Sequence, residues 1–139
     1  MHVLLAGATG AVGRRIVPLL LARGHRGTGL TRSVERAESV RAAGARAAVV
    51  DVVEGSALTA VVRAAAPDVV LHQLTDLACE DRSANARLRV VGTRNLVDAA
   101  RAAGVARIVA QSIAFAYEDG PGPATEDVAL RPGTPGVPE

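Results

Sequence analysis

Short apolar segments alternate with longer amphipathic segments along most of the chain. The apolar segments contain few polar residues, which is typical of strands buried on both faces of a parallel sheet. The amphipathic segments repeat apolar residues at helical spacing, and most of them end at glycine or proline. The predicted strands are Val3–Ala6, Thr28–Thr31, a strand within Arg46–Val53, Asp68–Leu74 and Val105–Ala110. The predicted helices are Ala11–Ala22, Val34–Ala43, Ala57–Ala66 and Arg82–Ala103.

Local signals mark where several helices begin and end. Ser33 and Ser56 are the predicted N-caps of the second and third helices, because a serine hydroxyl accepts a bond from a free N–H in the first turn. Pro67 ends the third helix. Pro18 lies inside the first helix, where the missing N–H should kink the helix or free one carbonyl.

The strict β-α order predicts the fold class. Right-handed crossovers between parallel strands give an α/β, doubly wound parallel sheet, the Rossmann fold, with five strands in the order 3-2-1-4-5. Five of the seven prolines lie in the last 22 residues, together with four glycines. We therefore predict one domain over residues 1–117 and a Pro/Gly-rich loop or disordered tail over residues 118–139.

Composition removes several classes of function. All sixteen basic residues are arginine, so no lysine can serve as a base, a Schiff-base former or a P-loop ligand. The chain has one Tyr, one Phe and a net charge of +2, which makes nucleic acid an unexpected partner. Cys79 is the single cysteine, and we expect neither a disulfide nor a metal site.

The pattern of hydrophobicity also bears on location. No apolar run approaches the ~18–20 residues of a membrane span. The first residues run directly into a glycine-rich motif without a charged leader. We expect a cytoplasmic protein with no membrane partner.

The glycine-rich motif is the strongest candidate site. Gly7, Ala8, Thr9, Gly10, Ala11, Val12 and Gly13 follow the first predicted strand and open the first predicted helix. Glycines at this spacing allow a tight turn, close approach of the backbone to a pyrophosphate, and close packing of helix on sheet. The helix N-terminus then faces the phosphates. The motif predicts a dinucleotide cofactor.

Three further segments carry a resemblance to a known family. They are Leu71–Thr75, Val91–Ala100 with its Gly-Thr-Arg-Asn-Leu sequence, and Gly104–Val109 followed by Gln111 and Ser112. With Gly-Ala-Thr-Gly-x-x-Gly, they resemble the NAD(P)-dependent epimerase/dehydratase family of short-chain dehydrogenase/reductases over residues 1–117. The resemblance implies a Rossmann domain with its substrate-binding part C-terminal to it.

The end of the second strand indicates the choice of cofactor. An NAD site places Asp or Glu there, whereas Thr31 and Arg32 occupy the position in this chain. Guanidinium binds a 2′-phosphate that a carboxylate would repel. We favour NADP(H) and keep NAD(H) as the alternative. Asp51 matches the family's acid near the adenine or is a loop aspartate, and Val52, Leu74 and Thr75 complete the expected cofactor contacts.

The resemblance also implies a catalytic Ser/Thr, Tyr and Lys. The Tyr-x-x-x-Lys pair is absent, because Glu118 and Asp119 follow Tyr117 and the chain has no Lys. Tyr117 instead matches a structural tyrosine of the family. Ser112 is the candidate catalytic serine, although it lies one position before the family's serine, where Ile113 stands.

Three interpretations of the function remain open. The chain is the cofactor-binding half of a longer oxidoreductase, epimerase or dehydratase with an unknown small-molecule substrate. Alternatively it is a non-catalytic NADP(H)-binding sensor or interaction module, or a Rossmann-like domain without a ligand. Five strands without a sixth leave one sheet edge and part of one face uncovered, so we also expect association, either as a homo-oligomer or by pairing with a missing partner segment.

Overall fold

Strands and helices alternate through the part of the chain that the computed structural model describes, residues 1–75, 82–112 and 116–131. The strands are β1 His2–Ala6, β2 Arg26–Thr31, β3 Arg46–Val49, β4 Val69–His72 and β5 Arg107–Ala110. The helices are α1 Gly13–Ala22, α2 Val34–Ala42, α3 Gly55–Ala65, α4 Arg82–Arg87 and α5 Thr93–Ala102. A π-helical turn, Leu88–Gly92, joins α4 to α5.

The five strands form one parallel sheet in the order β3-β2-β1-β4-β5. In the central register, Leu5 of β1 lies beside Gly29 of β2 and Leu71 of β4. The doubly wound fold and the strand order predicted from the sequence are confirmed. Since β1 is central and the order reverses beside it, the carboxyl ends of β1 and β4 border the crevice where such sheets bind ligands.

Successive residues of β1 enter two separate cores, one on each face of the sheet. Leu4 and Ala6 point into the larger core, and Leu5 points into the smaller one. The larger core contains side chains of α3 and α5, namely Leu58, Val62, Leu96, Ala99 and Ala100. The smaller core contains Ala8, Val17, Val40 and Ala45. Burial on both faces explains why the strands are apolar at successive positions rather than at alternate ones.

Two helix signals have different outcomes. Ser33 caps α2 as predicted, since its hydroxyl accepts the Arg36 N–H at 3.0 Å. The Ser56 cap is wrong, because α3 begins at Gly55 and its N-cap, Glu54, makes no side-chain capping bond. Ser56 therefore lies within the first turn, where its hydroxyl does not occupy the cap position.

The predicted helix 82–103 is interrupted. It consists of α4, the π-helical turn and α5. Apolar spacing alone does not distinguish a five-residue hydrogen-bond repeat from a four-residue one over a single turn. Helix α1 includes Pro18 and continues to Ala22.

The outer strands expose apolar side chains. Val49 of β3 is 43% exposed, and Val109 of β5 is 47% exposed. Association through these edges stays a prediction. Among the helices in the described ranges, none is both long enough and apolar enough to span a bilayer.

Residues 116–131 form a closed loop. Tyr117 and Leu130 make an antiparallel bridge. The Glu118 N–H donates to the Ala129 carbonyl at 2.9 Å, and the Arg131 N–H donates to the Ala116 carbonyl at 2.7 Å. Part of the sequence assigned to the tail thus has a defined backbone path, while the division at residue 117 stays a prediction.

The close packing of β2 predicts a contrast between two of its glycines. A Cβ at Gly29 would lie 2.6 Å from the Ala8 Cβ and 2.8 Å from a Val40 methyl, whereas one at Gly27 would lie 3.4 Å from the Ala45 Cβ. We expect Gly29→Ala to lower the free energy of unfolding by about 1–3 kcal/mol through overpacking. Gly27→Ala, the matched control, should be neutral or slightly stabilising. Urea denaturation of both variants measures the difference, and equal effects would contradict the packing argument.

Candidate functional site

A cleft of about 740 Å³ opens at the carboxyl ends of the strands. Its volume falls within the range of small-molecule and cofactor sites. The loop between β1 and α1 forms its floor, and the ends of β2, β3, β4 and β5 contribute the walls. The described residues that line it are Gly7, Thr9, Gly10, Ala11, Val12, Gly13, Leu30, Thr31, Arg32, Ser33, Arg36, Val50, Val52, Gln73, Leu74, Thr75, Leu88 and Gln111.

The loop between β1 and α1 leaves no room for side chains at two of its glycines. Gly7 has a φ of +91°, and a Cβ there would lie 2.6 Å from the Gln73 carbonyl oxygen. A Cβ at Gly13 would lie 2.1 Å from the Gly7 carbonyl oxygen. Glycine is therefore required sterically at both positions, and this brings the start of α1 directly against the end of β1.

Ala11, Val12 and Gly13, at the start of α1, line the cleft. The Gly10 N–H donates to the Gly7 carbonyl at 3.1 Å, which closes the turn, and the Arg14 N–H donates to the Gly10 carbonyl at 3.1 Å. The first N–H groups of a helix lack intrahelical acceptors. With the positive end of the helix dipole, they favour an anion such as a pyrophosphate. Ala8, also predicted in the site, is buried beneath the loop and does not line the cleft.

The turn between β2 and α2 and the first turn of α2 place two arginines among the residues that line the cleft. Thr31 accepts the Ser33 N–H at 3.2 Å, which sets the turn before Ser33 caps α2. Arg32 lines the cleft, and Arg36, in the first turn of α2, lines it as well. The two positive charges on this wall favour an anionic group beside it.

One carboxylate lies near this turn but is engaged locally. The Ser33 hydroxyl donates to the Glu35 carboxylate at 2.6 Å. That hydrogen bond lowers the pKa of Glu35 below its usual value. Glu35 is not among the residues that line the cleft.

At the end of β3, the two valines and the aspartate have different places. Val50 and Val52 are buried and line the cleft. Asp51 lies outside the lining, and its carboxylate accepts the Val53 N–H at 3.1 Å within a turn. Asp51 thus shapes the loop after β3, and the apolar surface beside it is supplied by the valines.

Asn95 of α5 holds this loop in place. Its amide nitrogen donates to the carbonyls of Val52 and Val53, each at 3.0 Å. Gly92 packs against Val52 so closely that a Cβ there would lie 2.9 Å from a Val52 methyl. Both residues belong to the Gly-Thr-Arg-Asn-Leu segment, which therefore positions one wall of the cleft from behind.

His72, the last residue of β4, organises the opposite wall. The Leu74 N–H donates to its Nδ1 at 3.2 Å, and its Nε2 lies 2.7 Å from the Thr93 hydroxyl. Because Nδ1 accepts, the neutral ring carries its proton on Nε2 and donates to Thr93. Burial, with a further contribution from the charge of Arg89, lowers the pKa of His72 below its usual value.

The end of β5 contributes Gln111 rather than the predicted serine. Both Gln111 and Ser112 are exposed, and of the two Gln111 is the one that lines the cleft. Tyr117 is half-buried in its bridge with Leu130. Cys79 and Ile113 lie outside the described residues.

Sequence reasoning missed seven residues of the lining. They are Leu30, Ser33, Arg36, Val50, Gln73, Leu88 and Gln111. Five of them stand within a residue or two of a strand end, and a search of all carboxyl strand ends in a parallel sheet would have found them. Arg36 and Leu88 lie on helices and carried no comparable signal.

The glycine loop, the strand order and the cleft define a dinucleotide-binding α/β domain. A model of the NAD-dependent epimerase/dehydratase family matches residues 3–137. The chain belongs to that family. The family resemblance predicted from the sequence is confirmed.

Two characterised proteins show the range of activities among the relatives. The chain is 46% identical over 137 residues to a 3-diazoavenalumate denitrifying reductase of a Streptomyces species, covering 94% of this chain and 44% of the relative. It is 33% identical over 149 residues to a UDP-glucose 4-epimerase of Mycolicibacterium smegmatis, covering 97% of this chain and 46% of the relative. The chain thus spans less than half the length of these relatives.

A solved structure shares the fold. The UDP-glucose 4-epimerase of Thermus thermophilus, in complex with NAD, superposes with a TM-score of 0.81 at 28% identity. The superposition covers 97% of this chain and 46% of that protein.

The contacts of Asn95 predict a stability effect. Asn95→Ala removes the donor to two carbonyls, and we expect the free energy of unfolding to fall by about 1–3 kcal/mol. Asn95→Asp should cost at least as much, since its carboxylate would face the same carbonyls without a donor. Arg94→Ala, which alters an exposed neighbour on the same helix, is the control and should change stability by less than about 0.5 kcal/mol. Thermal and urea denaturation measure these values, and an Asn95→Ala variant as stable as Arg94→Ala would contradict the anchoring role.

Proposed function

We propose that this chain binds an NAD(P) dinucleotide in the cleft and forms the cofactor-binding half of a reductase or epimerase/dehydratase. The observation that carries the proposal is the loop from Gly7 to Gly13. Gly7 and Gly13 leave no room for a Cβ, and the residues at the start of α1 line the floor of the cleft. That is the arrangement a pyrophosphate requires.

The residues present fit such a cofactor. Ala11 and Val12 would hold the pyrophosphate through the helix start, and Val50 and Val52 would cover the adenine with an apolar surface. Leu74, Thr75 and Gln111 would border the part of the cofactor that extends past β4. The nicotinamide of a bound cofactor would supply or accept a hydride. Residues outside this cleft would bind the substrate and carry out any further chemistry on it.

NADP(H) is the proposed form of the cofactor. Arg32 and Arg36 lie on the wall beside Thr31, and none of the described residues that line the cleft is Asp or Glu. Two guanidinium groups favour a 2′-phosphate, whereas a carboxylate would favour the free ribose hydroxyls of NAD(H). NAD(H) remains the alternative, because the Thermus thermophilus epimerase was solved with NAD.

Selectivity between the two cofactors tests the role of the arginines. We expect Arg32→Ala and Arg36→Ala each to weaken NADPH binding by roughly tenfold, the loss of a charge-assisted hydrogen bond. NADH binding should change little, because NADH lacks the 2′-phosphate. Calorimetric titration of both cofactors measures the ratio.

Arg41→Ala is the matched control for that experiment. Arg41 lies on α2, as Arg36 does, and pairs with Glu38 outside the cleft. It should leave both affinities unchanged. If the cleft variants weakened NADPH and NADH equally, the proposed phosphate contact would be wrong. Failure of the unmodified chain to bind either cofactor would contradict the proposed function itself.

The missing catalytic pair is proposed to lie beyond residue 139. This chain contains no Lys, and its single tyrosine, Tyr117, is followed by Glu118 and Asp119. Ser112 stays a candidate for orienting a substrate oxygen, from its exposed position after β5. The second candidate function, a non-catalytic NADP(H)-binding module, is favoured by the same lack of a Tyr-x-x-x-Lys pair.

The genomic sequence after the codon for Glu139 separates these candidates. We expect an open reading frame that continues into a segment containing Tyr-x-x-x-Lys, because the curated relatives are more than twice as long as this chain. A stop codon at that point would favour the non-catalytic module.

A further inference from the structure

We propose that His72 is a positioning residue for the cofactor. Through Leu74 and Thr93 its neutral ring holds two walls of the cleft together, so that dinucleotide affinity falls when the ring takes up a proton. This inference rests on the proposed function, since it concerns how the same cleft is kept in its binding conformation.

The geometry around the ring admits one charge state. The Leu74 N–H donates to Nδ1 at 3.2 Å, and Nε2 donates to the Thr93 hydroxyl at 2.7 Å. The residue is only 7% exposed, so water does not readily replace either partner. A ring with its proton on Nε2 satisfies both bonds, and neither the other tautomer nor the cation does.

The two partners belong to different walls. Leu74 and Thr75 line the cleft after β4. The Gln73 carbonyl just before them packs against Gly7 of the loop between β1 and α1. Thr93 begins α5 directly after the π-helical turn, whose first residue, Leu88, also lines the cleft. The imidazole is the bridge between these segments. Turns of π-helix inside longer helices are frequent at functional sites.

Protonation of Nδ1 would replace the hydrogen bond between His72 and Leu74 with a repulsive contact. The Nδ1–H would point at the Leu74 N–H, and two donors would face each other. The backbone of Leu74 would then have to move away, which widens the wall that Leu74 and Thr75 form.

The surroundings of the ring oppose that protonation at neutral pH. Ala6 of β1 and Ala110 of β5 are its register neighbours in the sheet and carry no charge. Thr93 is the residue of α5 that meets it, and Arg89 of the π-helical turn is the charged group acting on it among the described residues. Burial lowers the pKa of His72 from its usual 6.5, a hydrogen bond with the residue's own backbone opposes part of this shift, and the charge of Arg89 adds to it. The ring is therefore neutral at pH 7, and the bridge is lost only as the pH falls through the lowered pKa.

The test compares dinucleotide affinity at several pH values in matched variants. Calorimetric titration of NADP⁺ from about pH 7.5 down to about pH 4.5 extends below the usual range of histidine titration, because the pKa of His72 is lowered. We expect the wild-type affinity to fall by roughly fivefold or more as the Leu74 bond is lost. The 2′-phosphate of NADP⁺ also titrates in this range. Its contribution is the same for the wild type and for a variant that lacks the His72 imidazole, so the difference between their two pH profiles reports on His72.

His72→Asn provides that comparison. Its side-chain carbonyl can accept the Leu74 N–H near the former Nδ1 position, and it does not titrate, so the extra pH dependence should disappear. His72→Gln can still donate to Thr93 but offers Leu74 no acceptor at the ring position, so it should bind more weakly than His72→Asn at neutral pH. His25→Asn, which alters a half-buried histidine before β2, should retain the wild-type profile.

Two measurements on the unmodified chain keep the inference testable if a variant fails to fold. The ¹⁵N shifts of the His72 ring should show Nδ1 unprotonated and Nε2 protonated. Addition of NADP⁺ should lower the pKa of His72 further, as reciprocal linkage requires. The opposite tautomer, a pKa that NADP⁺ leaves unchanged, or identical pH profiles for wild type and His72→Asn would each overturn the role of His72 alone. Failure to bind dinucleotide at neutral pH would overturn the proposed function and this inference with it.

Discussion

The structure depends on the close approach of three backbone segments at the carboxyl end of β1. The Gly13 backbone packs against the Gly7 carbonyl, and the Gly7 backbone packs against the Gln73 carbonyl after β4. No Cβ fits at either contact. Because α1 starts against the strand end, its first residues line the cleft, and because Gln73 is held there too, the wall formed by β4 lies beside the glycine loop. The position of the candidate site follows from these contacts.

A second constraint comes from behind the cleft. The π-helical turn and the start of α5 place Leu88, Gly92, Thr93 and Asn95 against different parts of the cleft. Asn95 holds the loop after β3 through two carbonyls, and Thr93 holds the end of β4 through His72. The polar side chains of this short segment therefore contact the elements that form the walls: Asn95 bonds to the backbone after β3, and Thr93 bonds to the His72 ring. This explains how a segment with one lining residue contributes to the shape of both walls.

Much of the fold could be predicted because its signals are local. Apolar strands, amphipathic helices and the Ser33 cap identify most elements, and the handedness of parallel crossovers then leaves few arrangements. The glycine loop predicted the floor of the cleft, since its spacing encodes a steric requirement. The prediction was wrong at Ser56 and over the continuous helix 82–103. In both cases the apolar spacing marked the helix while the hydrogen-bond pattern at its start, or across one turn, depended on tertiary contacts.

The sequence by itself determined the α/β class, the strand order, the family and the glycine loop, because each rests on periodicity or on residues that a neighbouring backbone excludes or requires. Only the tertiary structure decided the rest. It placed Arg36 and Gln111 on the cleft, left Ser112 outside the lining, and turned the Asp51 carboxylate into its own loop. It also joined His72 to Thr93 across 21 residues of chain. Contacts between residues distant in sequence depend on how helices pack on the sheet, and a single chain's residue pattern does not encode that packing locally.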